Sequence, residues 1–233
     1  MENNTGFQNF NTVNFDPSTI ADQTGAVIQF IVIADESPSI SSFVRDMNKS
    51  LEELFMQELK GCHRKNDIMV KCITFSDDIE HKSGFQPILN VDNNYLHLKP
   101  RGRGTALYDA VLKGLEESIS YREDLEDQGI TVRTAIYIIT DGEDNYSDDL
   151  SSGKIRTILD DLRRNEAWID SFTISMLGVG DESYFKASCI KMGLNPDLCL
   201  VTVSSNAQEI RKVLGVVSQS ISSGSAATAT VSF

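Results

Sequence analysis

Apolar runs of strand length alternate with segments of helical spacing along most of this 233-residue chain. The first run, VIQFIVIAD, ends at Asp35, and the segment from about Ser41 to Lys60 then repeats apolar residues at helical spacing. Strands that alternate with helices in this way predict a parallel sheet that is covered on both faces. We therefore expect an α/β fold, with a single-domain, doubly wound and mostly parallel sheet of about six strands flanked by helices.

The same alternation continues to about residue 222. A strand is predicted from Asp67 to Phe75, and an edge strand with a loop is predicted from Ile79 to Pro100. The remaining predicted elements are, in order, a helix after Thr105, the strand VRTAIYIIT, a helix after Ser152, the strand FTISMLGVG, a short helix near 184–192, the strand LCLVTV and a helix after Asn206.

Length and composition favour one domain with a substantial core, because 40% of the residues are hydrophobic. We assign the domain to residues 24–222. Residues 1–23 are rich in Asn and Thr and form an N-terminal lead, which is predicted to be disordered or to pack on the domain as an arm. Residues 223–233 form a small polar tail, predicted to be disordered or to add a strand to a partner's sheet.

Oxygen-bearing side chains follow the apolar runs. Asp35, Ser37 and Ser39 occupy alternate positions after the first strand, so an extended backbone would point them the same way. Thr105 begins a predicted helix, and Asp141 follows another predicted strand. The carboxyl ends of parallel strands meet at one edge of such a sheet, where ligands bind. Two carboxylates and three hydroxyls predict a site for Mg²⁺ or Mn²⁺, ahead of Ca²⁺.

These motifs, in this order, resemble those of a von Willebrand factor type A (vWA) domain with a metal-ion-dependent adhesion site. The resemblance rests on D-x-S-x-S at 35–39, G-T at 104–105 and T-D-G at 140–142, and the order of elements extends it over about 26–222. It implies that the serines and the threonine bind the cation directly or through water, that the carboxylates hold coordinated waters, and that an acidic side chain of a partner protein completes the shell. The phrases GTALYDA and TDGEDN resemble intracellular bacterial forms, such as those associated with tellurium resistance and stress responses.

Residues near the predicted donors form the expected rim of the site. Pro38 stands where the family usually has a small residue, often glycine, and fixes φ between the two serines. Asp109 suits the first turn of a helix or a contact behind the ligands, and is not predicted to be a ligand. The other predicted rim residues are Glu36, Arg103, Gly104, Gly142 and Glu143.

Each motif also has a simpler interpretation. D-x-S-x-S and Asp-Gly are common turn sequences, and Thr105 alone could be a helix N-cap. The leading hypothesis remains a metal-dependent protein-binding module that is not an enzyme. The alternatives are a metal-dependent hydrolase or phosphatase, and a scaffold protein with a vestigial metal site. The chain lacks a D-x-D motif at Asp35 and a G-x-S-x-G motif, and its last histidine is His97.

Charge and segment composition bear on partners and location. The chain has 34 acidic and 21 basic residues and a net charge of −13, which opposes binding to nucleic acid or anionic membranes. No apolar run approaches the roughly 20 residues that span a bilayer, and the first residues lack a signal-peptide pattern. We therefore predict a cytoplasmic protein. Its four cysteines lack C-x-x-C spacing and are predicted to be free, reduced thiols.

Overall fold

The computed structural model describes residues 26–142, 144–168, 171–179, 182–196 and 199–202. The lead at 1–23, the predicted helix after Asn206 and the tail at 223–233 lie outside these ranges. The same is true of Glu143.

Within these described ranges, seven strands form a single mixed sheet. Their order is β3-β2-β1-β5-β6-β7, and the two-residue strand β4 also pairs with β2. The pairs of β1 with β2, β1 with β5, β5 with β6 and β6 with β7 are parallel, whereas β3 and β4 run antiparallel to β2. The strand bounds are β1 Val27–Asp35, β2 Ile68–Phe75, β3 Ile79–His81, β4 Gln86–Pro87, β5 Val132–Thr140, β6 Phe172–Val179 and β7 Cys199–Thr202.

Helices connect the parallel strands and cover both faces. Their bounds are α1 Val44–Ser50, α2 Gln57–Gly61, α3 Leu107–Glu126, α4 Ser151–Arg164 and α5 Glu182–Met192. A π-helical segment, Leu51–Met56, joins α1 to α2. None of the helices in the described ranges combines the length and apolar character needed to cross a membrane.

β1 lies at the centre of the sheet and is buried along all nine residues. Its side chains alternate between the two cores, as the period of a strand requires. Phe30 and Val32 pack with the α1–α2 face, whereas Ile31 and Ile33 pack with the face covered by α3, α4 and α5. A near-continuous apolar run is typical of a parallel strand that is buried on both faces.

The strand order reverses at β1. The connection from β1 to β2 passes through α1 and α2, and the connection to β5 on the other side of β1 passes through α3. Ligand crevices form outside the carboxyl ends of the strands at such a reversal. A ligand crevice is therefore expected at the carboxyl ends of β1 and β5.

The predicted fold class is confirmed. The strand predicted at 67–75 is β2, and VRTAIYIIT is β5. The helix predicted at 41–60 differs in its interior, because α1 and α2 are separated by the π-helical segment. Apolar spacing of three and four residues does not distinguish a short π segment from an α helix.

Tyr137, which is buried, and Tyr95, which is partly buried, differ in whether their hydroxyl groups have hydrogen-bond partners. The hydroxyl of Tyr137 is buried and has no hydrogen-bond partner in the described structure, although its ring stacks on Phe55. We expect Tyr137→Phe to raise the free energy of unfolding by about 1 kcal/mol, because the desolvation cost of the hydroxyl is removed.

Tyr95 provides the matched control in denaturant unfolding. Its hydroxyl accepts a hydrogen bond from the Cys72 N–H at 3.1 Å and lies 2.6 Å from the Ser83 hydroxyl. Tyr95→Phe should therefore lower the free energy of unfolding by roughly 1–3 kcal/mol. A loss of similar size for Tyr137→Phe would contradict the assignment of an unsatisfied hydroxyl.

The cysteines depart from the prediction. Cys62 and Cys72 are free, as expected, but Cys189 on α5 takes part in a disulfide bond. The expectation that all four thiols are reduced is therefore wrong for Cys189. Absence of a C-x-x-C motif does not exclude a disulfide, because the two halves need only be close in space.

Candidate metal centre

Two of the predicted donors lie at the carboxyl ends of neighbouring strands. Asp35 is the last residue of β1, and Asp141 directly follows Thr140, the last residue of β5. The two strands are hydrogen-bonded neighbours, with Ala34 opposite Ile139. Carboxylates that are 106 positions apart in sequence therefore lie at one edge of the sheet.

Asp35 is fully buried, and both of its carboxylate oxygens have partners. Oδ1 accepts a hydrogen bond from the Ser37 N–H, and Oδ2 accepts one from the Thr140 hydroxyl, each at 2.7 Å. Burial raises the pKa of Asp35, although these hydrogen bonds favour the ionised form. Thr140 was not among the predicted site residues. Its place next to Asp141 at the end of β5 was the available signal.

Pro38 keeps the two serines together. Ser37 has φ −60° and ψ 157°, the extended conformation that is favoured before proline. Pro38 then begins a short 3₁₀ helix, Pro38–Ser42. The Oγ atoms of Ser37 and Ser39 lie 2.8 Å apart, so the proline is compatible with a shared binding point for both hydroxyls.

A hydrogen bond links the serine segment to the end of β5. The hydroxyl of Ser39 donates to Oδ1 of Asp141 at 2.9 Å. Asp35, Ser37, Ser39 and Asp141 thus form a continuous series of contacts, which we call the donor chain. Burial raises the pKa of Asp141 to about 6, and the negative charge of Asp35 contributes to this rise, while the Ser39 hydrogen bond opposes it.

Thr105 lies in the segment before α3 and is nearly buried. Its N–H donates to Oδ1 of Asn145 at 2.8 Å, and the Asn145 N–H donates to the Thr105 carbonyl oxygen at 3.0 Å. The N–H of Ala106 donates to the carbonyl oxygen of Ser76, which follows β2. Within the described residues, no hydrogen bond joins the Thr105 hydroxyl to the donor chain.

Asp109 fastens the loop that follows Asp141 to the first turn of α3. Its Oδ1 accepts hydrogen bonds from the Asp148 N–H at 3.2 Å and from the Ser151 hydroxyl at 2.5 Å. Its own N–H donates to the Ser147 hydroxyl at 3.1 Å. Asp109 therefore holds loop backbone, and its position relative to a metal shell stays a prediction.

Glu36 faces away from the donor chain. Its carboxylate accepts hydrogen bonds from the Lys99 N–H at 2.9 Å and from Nε of Arg101 at 3.0 Å. The Arg101 N–H also donates to the Glu36 carbonyl oxygen at 2.6 Å. This pair of a buried Glu36 and a partly exposed Arg101 fixes the backbone between Asp35 and Ser37. The sequence did not predict it, because Arg101 is 65 residues away.

The remaining predicted rim residues occupy different surroundings. Arg103 is exposed, whereas Gly104 is buried. Gly142 is half-buried, and its N–H donates to the Thr140 hydroxyl at 3.3 Å. Glu143 lies outside the described residues, so its role stays a prediction.

The donor chemistry fits a hard divalent cation. The Asp141 carboxylate and the hydroxyls of Ser39 and Ser37 are linked in series by hydrogen bonds, and the Asp35 carboxylate joins them through the Ser37 N–H. Carboxylate and hydroxyl oxygens are the donors that Mg²⁺ and Mn²⁺ prefer. No group of three or more His, Cys, Asp or Glu residues suited to a metal occurs in the described part of the chain. An ion at this edge would therefore depend on hydroxyl and water oxygens as well as on Asp35 and Asp141.

The raised pKa of Asp141 gives metal binding a defined pH dependence. A cation requires the ionised carboxylate, so we expect the affinity for Mn²⁺ to fall about tenfold per pH unit below pH 6. In the metal-free protein the pKa of Asp141 lies above that of an aspartate in the unfolded chain. The contribution of Asp141 to stability is therefore full at low pH and is lost as the pH rises through about 6.

Calorimetric titrations with Mn²⁺ at pH 5, 6, 7 and 8 would measure this dependence. A matched series of thermal unfolding without metal would report the opposite trend for the contribution of Asp141. An affinity that stays constant between pH 5 and pH 7 would contradict the assignment of Asp141 as a donor.

Solved structures share the fold of this chain. Proximal thread matrix protein 1 from the mussel byssus superposes with a TM-score of 0.61 at 16% identity, over 82% of this chain and 47% of that protein. The pilus adhesin SpaC from Lactobacillus rhamnosus GG gives a TM-score of 0.64 at 12% identity, over 86% and 30% of the two chains. This chain therefore spans less than half of either protein.

The match to a third solved structure covers most of both chains. The conserved hypothetical protein BatB from Bacteroides thetaiotaomicron gives a TM-score of 0.56 at 15% identity, over 84% of this chain and 98% of that one. Another structure of the mussel protein has zinc in its metal-ion-dependent adhesion site (MIDAS) motif. No family model and no curated protein sequence matches this chain. At these identities the comparisons establish the fold, which is that of vWA-like α/β domains.

Proposed function

We propose that this chain is a protein-binding module that depends on a divalent cation. The donor chain supports the proposal most directly, because it brings Asp35, Ser37, Ser39 and Asp141 into contact at the reversal point of the sheet. Asp35 is buried and Asp141 is partly buried, and burial raises the pKa of both, so ionising them together is costly without a compensating positive charge. A bound cation would supply that charge.

We propose Mg²⁺ or Mn²⁺ as the ion, ahead of Ca²⁺. The donors are carboxylate and hydroxyl oxygens, and their small number leaves room for waters and for one outside ligand. Asp35 and Asp141 would hold the ion or its waters, together with Ser37 and Ser39. Thr105 would join them through its hydroxyl. The zinc in the mussel protein is consistent with a divalent site in this fold.

The proposed partner is another protein that presents an Asp or Glu side chain. When bound, the cation would offer an open position to a carboxylate oxygen, a charge-assisted contact that is directional. Two of the neighbours are named as a pilus adhesin and a thread matrix protein, which favours an interaction role.

Metal titration followed by affinity capture tests this proposal. The immobilised chain should bind Mg²⁺ and Mn²⁺ in calorimetry and should retain host proteins in Mg²⁺ that are released by excess EDTA. Asp35→Asn should fail to retain the same proteins while unfolding at a temperature close to that of the original chain. Retention that persists in EDTA would contradict a metal-dependent interaction, and absence of any metal binding would favour a vestigial site.

We propose binding rather than catalysis as the role of the site. Both oxygens of Asp35 accept hydrogen bonds and the residue is fully buried, so its carboxylate is poorly placed to attack a substrate. A panel of phosphate and acyl esters offers a direct check. Turnover that depends on Asp35 would support the hydrolase alternative.

The compartment in which the protein is located can be tested directly. A cytoplasmic location and a role in bacterial stress responses stay predictions from the sequence. The disulfide bond at Cys189 is an observation against a reducing compartment, since disulfides persist mainly in oxidising ones. Fractionation of host cells that carry a tagged chain would distinguish the two locations.

A further inference from the structure

The loop between Asp141 and α4 is bonded to the segment that begins α3. We define the rim loop as residues 144–150, which follow Asp141 and lead into α4. Asn145 bonds to Thr105 in both directions, at 2.8 and 3.0 Å. The Tyr108 N–H donates to Oδ1 of Asp144 at 3.3 Å, and Asp109 bonds to the two residues at 147–148. The backbone on both sides of residue 146 is therefore anchored to the start of α3.

Tyr146 is held in solvent on this anchored backbone. Its side chain is 59% exposed, which is unusual for a large aromatic ring whose neighbours are fixed. The inner side of the ring packs against Gly104, the residue before Thr105, where a β-carbon would lie only 2.8 Å from Cδ2. The ring therefore stands next to a predicted donor, with its outer part free to contact another molecule.

The charges of the rim loop restrict what can bind there. Asp148 and Asp149 are exposed, and the whole chain carries a net charge of −13. Arg103, next to Gly104, is exposed as well, but the two acidic residues and the net charge outweigh it, so a partner segment with several carboxylates would be disfavoured at its flanks. Apolar side chains beside the carboxylate at the cation meet no such repulsion and gain contact with the tyrosine ring.

We propose that Tyr146 is a specificity-determining contact for the partner, which presents one acidic residue between apolar residues. The inference rests on the proposed function of the donor chain and names the class of partner for it. The ring of Tyr146 packs on the apolar residue that adjoins the acid, while the acid occupies the open position of the cation. Gly104 is required because a side chain there would displace the ring.

Three capped tripeptides serve as probes: Leu-Asp-Leu, Ser-Asp-Ser and Glu-Asp-Glu. With Mn²⁺-loaded protein, paramagnetic relaxation of the peptide protons reports weak binding at the site, and Asp141→Asn gives the background from free ion. We expect Leu-Asp-Leu to bind about 10-fold more tightly than Ser-Asp-Ser, and Glu-Asp-Glu to bind most weakly of the three.

Variants separate the ring from the donors. Tyr146→Ser should reduce the preference for Leu-Asp-Leu to less than about threefold while Mn²⁺ affinity stays unchanged. Ile190→Ser removes another exposed apolar residue, 57% exposed on α5, and should leave the preference intact.

Several outcomes would overturn the inference. Equal binding of the leucine and serine peptides would do so, as would a preference that survives Tyr146→Ser. Loss of Mn²⁺ binding in Tyr146→Ser would mean that the ring supports the donors rather than the partner. If the protein binds Mn²⁺ but none of the peptides, the acidic-partner role fails as well. If it binds no Mn²⁺, the metal site itself fails.

Discussion

Replacing Asp141 by asparagine should lower the affinity for Mg²⁺ and Mn²⁺ by about 100-fold or more, because loss of even an outer contact of a metal site costs 10- to 100-fold. The amide keeps an oxygen that can accept the Ser39 hydrogen bond, so the local geometry is preserved. It also removes a partly buried charge near Asp35. We therefore expect the metal-free variant to unfold at the same temperature as the original chain, or at a higher one, at pH 7.

The matched control is Asp149→Asn. Asp149 is exposed, and its replacement changes the net charge by the same amount without touching the donor chain. Calorimetry should show unchanged affinity for this variant, and thermal unfolding with and without Mn²⁺ should show the same stabilisation as in the original chain. If Asp141→Asn retains metal affinity within a factor of about three, Asp141 is not a donor.

The second large effect concerns packing at the end of β6. Gly178 pairs with Thr140 across the sheet, and a β-carbon at this position would lie 2.4 Å from Cγ of Phe185. Phe185 is fully buried, and the first atom of its ring can move only if its β-carbon moves too. We expect Gly178→Ala to lower the free energy of unfolding by about 3 kcal/mol, measured in denaturant.

Two further variants identify the cause of that loss. In Gly178→Ala combined with Phe185→Leu, the smaller side chain should make the total loss less than the sum of the single losses by roughly 0.5–3 kcal/mol. Gly153 on α4 has open space around it, so Gly153→Ala should be neutral or should stabilise by up to about 1 kcal/mol. Strict additivity in the double variant would contradict a steric conflict with the ring.

Much of the fold follows from periodicity, because buried parallel strands and amphipathic helices leave distinct patterns. The run that ends at Asp35 is apolar almost throughout, as the burial of β1 on both faces demands. The π-helical segment at Leu51–Met56 was not predictable in this way, since its hydrogen-bond pattern changes without a clear change in apolar spacing.

The sequence predicted the donor residues of the site, but it did not predict the hydrogen bonds that hold the surrounding backbone in place. Asp35 and Asp141 stand at strand ends, where sequence position largely fixes the location of a side chain. The bonds from Asn145 to Thr105 and from Arg101 to Glu36 span 40 and 65 residues. Such contacts depend on the conformation of loops, which apolar patterning does not determine.

The proposed ion lies at the end of β1, a strand that is paired on both sides in the interior of the sheet. If the edge strands β3 or β7 opened locally, β1 would remain paired with β2 and β5, so Asp35 would keep its position. Local opening of an edge strand therefore need not release the ion, whereas separation of β1 from β5 would move Asp35 away from Asp141. Metal occupancy would then report on the integrity of the whole domain rather than on one segment.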